Sequence, residues 1–151
     1  MEGPLTAAVE VLGDRWTLLV LRDVIFGDRR YFRALLTGSA EGIASNILAD
    51  RLKRLIDAGI LTRGTAARGQ RARFSLTEAG IRTVPIIFAY GEWGLDWRPG
   101  GDESRQQFLR AAGPQFLDEL MDELRVHHLG AEAKPYDGPS PFERLNAALT
   151  P

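Results

Sequence analysis

Between Arg51 and Arg73 the chain places seven cations, Arg51, Lys53, Arg54, Arg63, Arg68, Arg71 and Arg73, against one anion, Asp57. Seven against one leaves +6 on a short stretch of a chain whose formal charge is -1. A positive field this concentrated is suited to polyanions, and to phosphates above all. The same stretch has helical periodicity: Ala44, Leu48, Leu52, Leu55 and Ile56 fall on one stripe, and Ser45, Asn46, Asp50, Arg51, Lys53, Arg54 and Asp57 fall on the other faces. Gly59 stops that helix, and a hairpin follows whose tip is Arg68, Gly69, Gln70 and Arg71. A helix fits the major groove of DNA, and an Arg-tipped hairpin can follow phosphates or enter the minor groove. Residues 44–58 therefore read as a recognition helix and residues 63–73 as a wing. The plainer alternative is a solvated helix followed by a basic hairpin.

Other chemistry has little to work with. His127 and His128 are the two histidines, set together at a helix end where the helix dipole favours cations. Glu119, Glu123 and His127 form a stripe at metal-ligand spacing, but with Asp118 and Asp122 they also read as the wet face of an amphipathic helix. No nucleophile, acid and base stand together, so neither an enzyme nor a cofactor is expected. With no cysteine, disulfides, thiolate zinc sites and cysteine redox switches are excluded. Phe32, Tyr90, Trp93 and Trp97, with the helix beyond residue 104, can line an apolar effector cavity or simply be core.

The elements that must position these groups are mostly helical. Pro4–Leu12 is a helix candidate closed by Gly13, and Asp14 can cap a second, Arg15–Phe26, which is apolar nearly all round and so central. Arg29–Leu36 gives a third helix, and the polar connection Gly38–Gly42 leads into the basic one, the layout of a helix-turn-helix. Across the hairpin, Arg73, Phe74, Ser75 and Leu76 alternate out and in. Thr77 can cap a long helix, Glu78–Trp97, kinked at Pro85. Its Ile87, Phe88, Tyr90, Trp93 and Trp97 exceed what a small domain can cover, so either residues 104–126 fold back on them or a partner does. Ser104 can cap a helix, Arg105–His127, interrupted at Gly113-Pro114, and a last helix, Pro141–Leu149, follows an irregular tail. Residues 1–98 carry a net charge of +3 and residues 99–151 one of -4, a basic head and an acidic tail. No apolar run approaches the roughly 20 residues that span a bilayer, and a cytoplasmic location is the default expectation.

Four runs, VLGDRWTLLVLRDVIFGDRRYF (Val11–Phe32), GIASNILADRLKRLIDAGIL (Gly42–Leu61), FSLTEAG (Phe74–Gly80) and GEWG (Gly91–Gly94), resemble the HxlR-type winged helix-turn-helix regulators in order and spacing. The resemblance covers residue 3 to about residue 98, roughly two-thirds of the chain. It implies an α+β, mostly α fold: a winged helix-turn-helix with a long dimerisation helix over 1–98, and a helical extension over 99–151. It also implies a bacterial homodimer on a pseudo-palindromic site in double-stranded DNA. The dimer contact would lie on the N-terminal helix, with Leu5, Ala8 and Val9, and on the long helix, with Ile87, Phe88, Tyr90, Trp93 and Trp97. Many members begin with Cys-Pro where this chain has Gly3-Pro4, so oxidant sensing by that cysteine is not available to it. The usual Ser at the start of the recognition helix is Ala44, and the wing, TAARGQRA, lacks paired prolines.

On this reading Ser45, Asn46, Ala49, Asp50 and Lys53 meet base edges: Asn46 can pair with adenine, Lys53 with guanine, and Ala49 can lie on a thymine methyl. Arg68, Arg71 and Arg73 on the wing, with Arg30 and Arg33 ahead of the helix, suit phosphates or the minor groove. Arg51 and Arg54 can instead pair with scaffold acids. Two alternatives stand beside this: a regulator that senses a small molecule near the dimer contact, and a winged-helix module that binds protein rather than DNA.

Overall fold

A computed structural model describes residues 2–150. They belong to two compact units, Met1–Gly80 and Ile81–Pro151. The order is α1 (Pro4–Leu12), α2 (Arg15–Ile25), α3 (Phe32–Thr37), α4 (Ser45–Asp57), β1 (Leu61–Arg63), β2 (Phe74–Leu76), α5 (Glu78–Ile81), α6 (Val84–Trp97), α7 (Ser104–Ala112), α8 (Pro114–Leu129) and α9 (Pro141–Leu149). The fold is mostly α with one two-stranded antiparallel sheet, and its N-terminal unit is a winged helix-turn-helix.

In the N-terminal unit α2 is the central element, with Leu21, Val24 and Ile25 fully buried. Asp14 caps it as expected, accepting from Thr17 N at 3.0 Å. The third helix starts later than its composition suggests. Asp28 adopts a left-handed backbone at φ 50°, Arg29 N donates to Asp23 O, and Tyr31 is extended. The carbonyl of Arg30 is then taken by Phe74 N at 2.7 Å, so this segment lies along β2 instead of coiling. The strands pair Leu61 with Leu76, Thr62 with Ser75 and Arg63 with Phe74. Phe74 and Leu76 point inward and Ser75 stands between them, half-buried, as the alternation requires.

The long helix after the wing is two helices. Thr77 does cap the first turn, accepting from Gly80 N at 3.1 Å, but α5 ends at Ile81 and α6 begins at Val84. Pro85 therefore sits in the first turn of a new helix, where its missing N–H has no partner to lose, instead of kinking an old one. In the C-terminal unit α6 packs on α7 and α8, and α9 docks on both of the latter. Sequence suggested a division at 98; here α6 is grouped with the helices that follow it. The space a Cβ would take at Gly91 is filled by the amide end of Gln106 from α7, which donates to Phe88 O. Arg110 fastens the pair, reaching Glu92 at 2.9 Å and Asp96 at 2.8 Å.

The break at Gly113-Pro114 falls where expected, with Gly113 at φ 82°. Ser104 is not the cap itself: Glu103 holds that position, and the N–H of Ser104 donates to Asp102 Oδ1. The last helix is held by a cap that sequence reading missed: Ser140 Oγ accepts from Glu143 N, and buried Glu123 accepts from Phe142 N at 2.9 Å. Leu145 has no exposed surface. Replacing Leu145 with Ala should lower stability by about 2–5 kcal/mol, the usual cost of a buried leucine cavity. The fall would be read from the urea midpoint; an unchanged midpoint would mean α9 is not docked in solution.

Candidate nucleic-acid interface

Helix α4 is seated by Leu48, Leu52 and Leu55, all buried, against α2 and α3. Ala44, expected on the buried stripe, is exposed and serves as the N-cap, with no side-chain hydrogen bond to the helix. That leaves the first-turn N–H groups of α4 without a side-chain cap. Ser45, Asn46, Ala49 and Lys53 are exposed along the helix, the arrangement needed to meet base edges. Asp50 is half-covered, and its Oδ2 receives Arg51 Nη1 at 2.8 Å and Arg54 Nε at 2.9 Å.

The seven cations divide into two sets. Arg51 belongs to the scaffold: its side chain is 15% exposed and its Nε and Nη2 reach Asp14 at 2.8 and 3.2 Å. The same carboxylate caps α2, so one group ties the cap of the central helix to the middle of α4. The hydrogen bond from Arg51 comes first among the causes that lower the pKa of Asp14 from 3.8 to about 2. Arg54 pairs with Asp50 one turn away and Lys53 with Asp57, both exposed pairs that water and salt weaken. Arg63, Arg68, Arg71 and Arg73 are exposed on the hairpin.

The wing has its own internal order. Gly64 N donates to Arg73 O at 2.8 Å, Gln70 N to Ala67 O, and Gly69 supplies the left-handed turn at φ 83°. Arg71 lies over the ring of Tyr31 at 4.6 Å, which aims a long side chain that would otherwise be free. Arg33, Ala49, Lys53, Arg63, Gln70 and Arg71 edge one cleft of about 620 Å³ between α3, α4 and the hairpin. Predicted residues of the helix and of the wing thus meet around a single depression.

Arg30 is not among them. It is 8% exposed, and its Nε donates to Phe74 O at 3.0 Å and its Nη2 to Ser75 Oγ at 2.6 Å. Burial, and after it the charge of Arg73, lower its pKa. With the Phe74 N to Arg30 O bond, this residue holds β2 by both main chain and side chain. Arg30 cannot reach a phosphate without leaving these partners, so the contact expected of it is replaced by a structural role.

The apolar surfaces sort as cleanly. In α1 no residue is buried: Leu5 is 77% and Val9 55% exposed, and Ala8 is open too. On α6, Tyr90, Trp93 and Trp97 are exposed with Ile86, which sequence reading passed over although 86, 90, 93 and 97 share one helical face. Ile87 and Phe88 are half-covered, and Phe88 O accepts from Gln106 Nε2. The expected intrachain cover is present on one face, where α7 and α8 pack, and the aromatic face stays open. Phe32 lines the cleft of the N-terminal unit. In the stripe Glu119, Glu123 and His127, Glu123 is buried on Phe142 N, His127 stacks on Phe142, and Glu119 pairs with Arg144.

Two outcomes follow from this geometry. Asp14→Asn should melt below the parent at pH 7. Because the folded-state pKa is depressed, the stabilisation from Asp14 is complete above its unfolded value of 3.8 and is lost as pH falls toward about 2, so the two melting curves should converge across that interval. Arg30→Ala should lower stability by about 1–3 kcal/mol, the range for hydrogen bonds from a buried charged group. It should also weaken duplex binding, because releasing β2 frees the wing from its place beside α4.

Comparison with known proteins points the same way. The family model described as HxlR-like helix-turn-helix matches residues 11–102. The HTH-type transcriptional regulator Rv3095 of Mycobacterium tuberculosis, itself uncharacterized, is 32% identical over 129 residues, which cover 85% of this chain and 70% of the relative. Among solved structures, PA1607, described as a candidate transcription factor, is similar at a TM-score of 0.60 and 32% identity over 68% of this chain and 70% of that one. The reduced form of the transcriptional regulator YodB from B. subtilis is similar at a TM-score of 0.52 and 26% identity, over 68% of this chain and 100% of YodB. Among the described residues no helix is long and apolar enough to cross a membrane.

Proposed function

Given that the chain belongs to the HxlR-like helix-turn-helix family of transcriptional regulators, we propose that it acts as a homodimer reading a pseudo-palindromic operator in double-stranded DNA. One observation carries this: the wing cations Arg63 and Arg71 and the exposed α4 positions Ala49 and Lys53 edge the same cleft. In the proposed complex Ser45, Asn46, Ala49, Asp50 and Lys53 lie in the major groove. Arg33, Arg68, Arg71 and Arg73 hold the sugar-phosphate backbone, or the minor groove beside it. Asp50, held by Arg51 and Arg54, faces the groove with its charge compensated.

The dimer contact is assigned to α1, through Leu5, Ala8 and Val9, and to the open aromatic face of α6, through Tyr90, Trp93 and Trp97 with Ile86. Ile87 and Phe88 border that face. A stripe of four large apolar side chains on one helix is costly to leave in water and is the usual mark of an interface. Residues 1–98 then form the DNA-binding and dimerising part, and residues 99–151 buttress α6.

Selection of bound duplexes from a random library, followed by footprinting, should give a sequence with two protected half-sites about one helical turn or more apart. A folded chain that retards no duplex at low salt would sink the reading in favour of a protein-binding module. Arg71→Ala should weaken binding to specific and random duplexes alike and reduce the salt slope by roughly 1. Unlike Arg30→Ala, it should leave the melting temperature unchanged.

A further inference from the structure

The cleft that the DNA-binding residues edge has a floor that DNA does not need. Phe32, Leu52, Ile56 and Phe74 line it, with Ala72 at its side, and its volume of about 620 Å³ lies in the range of small-molecule sites. Phosphates and base edges present hydrogen-bonding groups, and this floor returns none of them. The rim is a different matter. Arg33, Lys53, Arg63 and Arg71 stand around it, and no Asp or Glu lines the cleft. Lys53 has Asp57 on its outer side and Arg71 has the Tyr31 ring, but Arg33 and Arg63 have no carboxylate partner among the described residues. Apolar below and cationic above, the cleft is complementary to a molecule with a hydrophobic body and one anionic end. It repels an amine, and a neutral molecule, which Gln70 can still meet, leaves the rim cations without a counter-charge.

We propose that this cleft is an effector site for a small aromatic carboxylate, its rings against Phe32, Leu52 and Ile56 and its carboxylate on Arg33 and Arg63. Such an occupant takes the space between α4 and the wing and neutralises cations assigned to the backbone of DNA, so it and the duplex exclude one another. The exclusion rests on the DNA-binding reading; the carboxylate site does not.

The probe is 2-naphthoate, titrated into the full chain without DNA and followed by chemical shifts of the protein methyl groups, with 2-naphthalenemethanol as the uncharged control. Naphthoate should saturate with shifts centred on Ala49, Leu52, Ile56 and Ala72, and the alcohol should bind at least roughly tenfold more weakly. Arg63→Gln should weaken naphthoate by about tenfold without changing the alcohol. Ala72→Leu, which fills the side of the cleft, should abolish both. Naphthoate added to a complex with a selected duplex should release it, and the Ala72→Leu complex should resist release. Failure to saturate, equal binding of the alcohol, or binding that survives Ala72→Leu would each overturn the site. A ternary complex of protein, duplex and naphthoate would overturn the exclusion. A chain that takes naphthoate but no duplex would refute the DNA reading instead, leaving the carboxylate site standing.

Discussion

The N-terminal unit depends on a buried guanidinium. A charge taken out of water is tolerated only where its hydrogen bonds are supplied in good geometry. Arg30 finds them on the strand that returns from the wing, at Phe74 O and Ser75 Oγ, while its own carbonyl is taken by Phe74 N. A two-stranded sheet with three residues per strand is marginal by itself. The clamp ties residue 30 to β2, joins the hairpin to the chain entering α3, and so sets the wing beside α4. Cut this tie, and the cations at the hairpin tip have no fixed relation to the helix.

The division of the cations follows from the same economy of placement. Arg51 shares the α2 cap with Thr17, so the orientation of α4 is referred to the central helix through one carboxylate. Arg54 and Lys53 meet acids on their own helix, pairs of small worth that keep both side chains extended along its surface. The hairpin arginines carry the field outward. A stretch of +6 is thus part scaffold and part surface, and only the surface part is available to a polyanion.

Much of this was legible in sequence because it is local. The bounds of α1 and α9, the Asp14 cap, the inward alternation of Phe74 and Leu76 and the break at Gly113 all follow from periodicity, capping chemistry and turn residues. What escaped is set by partners far along the chain. Arg29–Tyr31 has nothing in its composition to forbid a helix; Phe74, more than forty residues on, takes the Arg30 carbonyl and holds it out of one. Arg30 and Arg33 are indistinguishable as letters, and one is buried while the other stands on a cleft. Pro85 announces a disturbance without saying whether it bends a helix or begins one, which depends on the turn at residues 82–83 that separates α5 from α6. Glu123 turns inward for the sake of a helix end that arrives from Phe142.

Helix α1 has nine residues and none of them buried. A segment that short, taken alone in water, is at the margin of holding a helical shape, and among the described residues only its last two, Val11 and Leu12, are even half-covered. In the homodimer proposed here, ordering of this segment and joining of the two copies become a single event, so the entropy of fixing nine residues is charged against subunit affinity. Dilution would then unravel the amino-terminal arm together with the assembly, and protein concentration itself would become an input to regulation.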